Sequence, residues 1–190
     1  MESSSKLTSQ ESLNIITGMI QTAKGNIKIH SFHFLLWGWV IALGNLGHYY
    51  LEVFTDYHSP FAVWLITIPA WVASFVYGFK QSKKETVKTY SDGLVMWVWL
   101  AFTFSILIII FSGHFGALIS PLILLTAGMA TFMTGIILKF KPLIYGGSSF
   151  WIFAPIAFHV SSSNSLLVSA VAVMIGYLVP GYLLKNSKNV

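Results

Sequence analysis

His48, His58, His114 and His159 are the side chains of this sequence best suited to chemistry. Neutral imidazole is the commonest protein ligand for zinc, copper and haem iron. When the apolar stretches are laid out as crossing helices, all four fall toward one end of the molecule. Asn45 precedes His48 by one helical turn, where its amide can orient the imidazole from behind. These four histidines form a candidate site for a metal ion or haem, one that would support electron transfer or an oxidoreductase activity. The competing reading is of four histidines solvated at a membrane interface, and no HExxH-type motif separates the two.

A second candidate site is a cavity for a small solute, drawn from Asn45, Trp71, Trp99, Trp151 and Pro155. A proline inside a helix removes one backbone donor and frees a carbonyl, which suits a cavity lining. Tryptophans can box in a cationic or planar ligand. Both features also serve as kinks, packing and interface belts.

Other chemistries are disfavoured. No Asp, Glu or Lys stands near the middle of an apolar stretch, which argues against ion-coupled transport, pumping and voltage sensing. The absence of cysteine removes disulfides, thiolate metal sites and thiol nucleophiles. All 11 basic residues other than histidine are lysines, so no guanidinium fork is present for phosphate or carboxylate. Gly146-Gly147-Ser148-Ser149 with His159 suggests an intramembrane serine protease. Both parts lie on one stretch, about 16 Å apart by helical rise, too far for a dyad. No catalytic residue is assigned, and the chain reads as non-enzymatic.

The elements that must position these residues are helices in a bilayer. Of 190 residues, 55% are hydrophobic and only 9% charged, where a soluble domain carries about 25% charged residues. The mean hydropathy is +0.73. Lipid is the solvent such a surface demands, and the net charge of +5 sits in short loops, so nucleic acid is not an expected partner.

The fold class is all-α, a polytopic bundle of six transmembrane helices preceded by an amphipathic helix. The spans read as Ser31–Phe54, Pro60–Phe79, Gly93–Ser112, Ala117–Leu138, Pro142–Val160 and Ser165–Leu184, each near the ~20 residues that cross a bilayer. The chain thus divides into a cytoplasmic or interfacial segment, 1–29, and a transmembrane domain, 30–190. In the first, Thr8 and Glu11 fit a capping box, and Leu13, Ile16, Ile20, Ala23 and Ile27 repeat on one face. This segment either lies in the membrane interface or pairs with a partner. It has no apolar core followed by a cleavage site, so no cleaved signal peptide is expected.

Lys6, Lys24 and Lys28 precede the first span; Lys80, Lys83, Lys84 and Lys88 lie between the second and third. Lys139 and Lys141 join the fourth to the fifth, and Lys185 and Lys188 follow the sixth. The alternate loops hold none. The positive-inside rule then places both termini in the cytoplasm and makes three hairpins of the six spans. Narrow faces of small residues, Ala127, Thr131 and Thr134 in one span and Ser169, Ala172 and Gly176 in another, mark helix contacts or a dimer seam.

The stretches SFHFLLWGWVIALGNLGHYYL and KQSKKETVKTY resemble those of the small, uncharacterised six-span membrane proteins of bacteria. The resemblance implies an inner-membrane address and no substrate. The functional expectation is a bundle that binds or passes a small, uncharged or weakly cationic solute, working as a homo-oligomer. One alternative is a sensor or scaffold with a cytoplasmic protein partner; the other is the metal or haem protein described above.

Overall fold

Backbone groups that face lipid must bond within their own segment, and every element here is a helix. The computed structural model describes residues 9–83 and 90–186, with the backbone alone for 9–30 and Ser82. The readings made for Lys6 and Thr8, for the lysines at 84 and 88 and for Lys188 lie outside the described residues, as does the side-chain face read over 9–29.

Helix α1 spans Ser9–Phe54. Helix α2 opens as a 3₁₀ turn over Pro60–Ile66 and continues as α-helix over Thr67–Ser82. Pro60 supplies the preset φ for the first turn, and Pro69 leaves the Leu65 carbonyl without its helical donor, which favours the tighter winding before it. Helix α3 is Tyr90–Phe111, with Asp92 in its first turn. Helix α4 is Ile119–Ile137, reached through a 3₁₀ turn at Gly116–Leu118. Helix α5 is Lys141–His159. Helix α6 starts at Ser162–Val173, where the Ser161 hydroxyl accepts from the Asn164 N–H. It passes through a π-turn at Met174–Leu178 and ends as Val179–Asn186.

Each span read from the sequence corresponds to one of these helices, with Ser112, Leu138 and Val160 one residue past the helix ends, yet among the described residues four of the six helices are long and apolar enough to cross a membrane by composition. The four are α2, α3, α4 and α6; α1 and α5 carry more polar and small residues. Packing explains the apolarity of α2 and α3. The most extensive contact joins α4 to α5, followed by α1 to α6, and α5 also packs on α6. Helix α2 leans on α1, and α3 on α4, so both are peripheral. Only 11% of the most apolar stretch of each is buried within the protein. A helix lined by other helices can carry polar residues, whereas a peripheral one must be apolar almost all round.

Helix α1 passes through residue 30 and runs for 46 residues, about 69 Å at 1.5 Å per residue.

Tyr177, in the π-turn, is the centre of the core. Its ring meets Phe34 of α1 at 5.6 Å, Phe150 of α5 at 5.1 Å and Trp99 of α3 at 6.3 Å. A hydroxyl pair joins α4 to α6, Ser120 Oγ to Ser169 Oγ at 2.6 Å. The small-residue faces are buried between the helices: Thr131 and Thr134 are both 0% exposed. The close approach of α4 and α5 depends on Gly147, where a Cβ would lie 2.4 Å from the Phe132 backbone nitrogen.

Candidate functional site

Ile41, Asn45 and His48 follow one line along α1 as it approaches the end of the bundle without lysines. A 3₁₀ helix eclipses residues three apart. In α2 that places Phe61 and Trp64 above one another, both against His48. The Trp64 indole N–H donates to His48 Nδ1 at 3.1 Å. The Phe61 ring lies 4.8 Å from the imidazole, centroid to centroid. Gly44 makes room for this arrangement, since a Cβ there would meet the Trp64 ring at 3.0 Å.

An indole can only donate, so Nδ1 accepts and the proton of the neutral ring is on Nε2. That N–H has no acceptor among the described residues. Asn45 donates its amide to the Ile41 carbonyl at 2.8 Å, which leaves its side-chain oxygen without a donor among them. The Asn45 amide therefore bonds to its own helix, and Trp64 is the group that orients His48. Both residues are buried, Asn45 at 4% and His48 at 7% exposure.

Helix α6 runs antiparallel beside α1, with Gly38 against Tyr177 and Leu178, and Gly181 against Phe34 and Leu35. This register brings Asn45 and His48 level with the part of α6 that holds Ser165 and Ser169. Ser165 Oγ is buried with no hydrogen-bond partner among the described residues. A buried hydroxyl in this state calls for a water, a ligand or an energetic penalty.

The other candidate histidines are exposed. His159 Nδ1 bonds to the Pro155 carbonyl at 2.7 Å, and His114 Nδ1 to the Ser112 carbonyl. Since a carbonyl only accepts, Nε2 is the free lone pair of each ring. His58 lies on the exposed connection between α1 and α2. Among the described residues, no three His, Asp or Glu side chains converge where a metal ion would sit. At His48 a metal on Nε2 would also compete with the Trp64 bond, because a neutral ring cannot offer both lone pairs.

The tryptophans read as cavity lining stand on three helices, each with its own neighbours. Trp71 meets Trp37 edge to face at 5.1 Å and stacks on Phe75. Trp99 belongs to the cluster around Tyr177. Trp151 donates to the Leu125 carbonyl at 3.3 Å. Pro155 is on an exposed face of α5. A cleft of about 260 Å³ lies between α5 and α6, and none of these residues lines it. Sequence reasoning missed Trp64, Phe61 and Ser165. The spacing of Phe61 and Trp64 behind Ser59-Pro60 was the available signal for the first two, and Ser165 had none.

Compared with protein-family models, curated proteins and solved structures, the chain matches none.

Proposed function

We propose that this chain is a six-span, non-enzymatic protein of the bacterial inner membrane, with both termini in the cytoplasm. It binds or passes a small, uncharged or weakly cationic solute near the outer face. The observation that carries this reading is the pair on α1 left unspent among the described residues, the Nε2–H of His48 and the amide oxygen of Asn45, both on buried residues. A solute with one acceptor and one donor matches the pair, and the Phe61 and Trp64 rings suit a weak cation. Ser165 offers a third polar contact from α6.

Proteoliposomes loaded with the protein should take up glycerol, urea or methylammonium faster than empty vesicles. His48→Leu and Asn45→Leu should each reduce the faster rate at least tenfold while the protein remains monodisperse. Rates equal to those of empty vesicles for all three probes would remove passage from the reading. Loss of binding in a thermal-shift titration would then remove the site.

The continuity of α1 supports a second reading, that of a sensor with a cytoplasmic partner. About 69 Å of helix exceeds the ~40–45 Å of a whole bilayer. The N-terminal part belongs to the same helix as Asn45 and His48. Deletion of residues 1–29 should release a partner in a pull-down from membranes; an unchanged set of bound proteins would end this reading.

A further inference from the structure

We infer that the cleft between α5 and α6 is a binding site for one acyl chain of an anionic phospholipid, with its headgroup on the lysines at the lysine-bearing end. The inference needs only the membrane embedding and is independent of the His48 reading. The floor of the cleft is backbone. Gly146 lies so close to α6 that a Cβ would meet the Gly176 carbonyl oxygen at 2.6 Å and Pro180 at 3.0 Å. Pro180, four residues beyond Gly176, has no N–H to give that carbonyl, and the helix widens into its π-turn there.

Along one wall Ile175, Val179 and Leu183 repeat every four residues, about 12 Å of apolar stripe by helical rise. Pro142 and Tyr145 form the other wall. At about 260 Å³ the cleft falls just below the range of small-molecule pockets, which begins near ~300 Å³. It suits a narrow chain entering sideways from the bilayer.

The charge is at one end. Lys141 precedes Pro142, and Lys185 follows Leu183 by two residues; both are exposed. Lys139 joins them through the turn that ends α4. There Lys139 N–H bonds to the Ile136 carbonyl and Phe140 N–H to the Gly135 carbonyl, a Schellman closure. Its left-handed position, normally glycine, is occupied by Lys139 at φ 53°. No Asp or Glu occurs on α4, α5 or α6; the acidic residue nearest in sequence is Asp92, in the first turn of α3. Lysines are point charges and suffice for a headgroup at the membrane surface, where no bidentate fork is needed.

Native mass spectrometry of the full chain in neutral detergent tests the inference, with dioleoyl phosphatidylglycerol, dioleoyl phosphatidylcholine and glycerol 3-phosphate as probes. One phosphatidylglycerol should be retained preferentially, and glycerol 3-phosphate should not be. Lys139→Gln, Lys141→Gln and Lys185→Gln together should erase the preference, by about fivefold per lysine, while leaving phosphatidylcholine unchanged. Leu183→Trp, or Ile175→Trp should that variant misfold, should reduce retention of both lipids. Equal retention of the two lipids, or phosphatidylglycerol retention unchanged in both variant classes, overturns it. Binding of glycerol 3-phosphate alone would assign the lysines to a soluble anion.

Discussion

Trp64 holds His48 in a single tautomer: its indole N–H lies 3.1 Å from Nδ1 and dictates that the ring proton is on Nε2. The donor half of the site proposed for the outer end follows from that bond, because it makes His48 a donor with no acceptor among the described residues. Trp64→Phe should broaden or shift the imidazole nitrogen resonances of His48 toward a mixture of tautomers. The stability cost should be near the ~0.6 kcal/mol average for hydrogen bonds between membrane helices. Unchanged nitrogen shifts would show that the indole does not set the tautomer.

Ser165 and Ser169 are buried on the same helix and should respond in opposite directions. Ser165 Oγ has no partner among the described residues, so Ser165→Ala should be neutral or stabilising in the solute-free protein. Ser169→Ala leaves the Ser120 hydroxyl without its 2.6 Å partner, and should cost about 1–3 kcal/mol. Equilibrium unfolding in mixed detergent checks both. In the uptake assay Ser165→Ala should nevertheless slow the solute. A destabilised Ser165→Ala would mean that the hydroxyl is satisfied by something other than the solute.

Glycine substitutions separate contact from propensity. A Cβ on Gly176 would fall 2.3 Å from the Phe150 ring, and Phe150 is 0% exposed with nowhere to move. Gly176→Ala should cost about 1–3 kcal/mol, with partial rescue by Phe150→Leu. Gly78 on α2 has nothing within 4 Å of its notional Cβ, so Gly78→Ala should be neutral or stabilise by up to ~1 kcal/mol. Equal losses at the two positions would contradict this packing.

The orientation can be read in intact cells, because the chain has no cysteine to remove first. Single cysteines at His58, His114 and Asn164 should react with a membrane-impermeant maleimide from outside. Cysteines at Lys83, Lys139 and Asn186 should react only after the cells are opened. Labelling of Lys139→Cys from outside would reverse the proposed topology.

Helical segments were legible from residue pattern. Apolar runs near 20 residues are local properties, and helical bonds close within four residues. The burial of Thr131 and Ser169 was legible for the same reason, since one-face spacing along a helix is written in the chain. Partner choice was not. Trp64 meets His48 because Pro60 and Pro69 wind α2 into a 3₁₀ turn and Gly44 admits the ring, a conjunction of two helices. Trp71, Trp99 and Trp151 carry the same residue type as Trp64, yet packing sends them to three other neighbourhoods. The cleft beside Gly146 likewise exists only where Pro180 frees the Gly176 carbonyl and α5 comes close enough to cover it. Contacts of this kind depend on how helices cross, and helix periodicity carries no information about crossing.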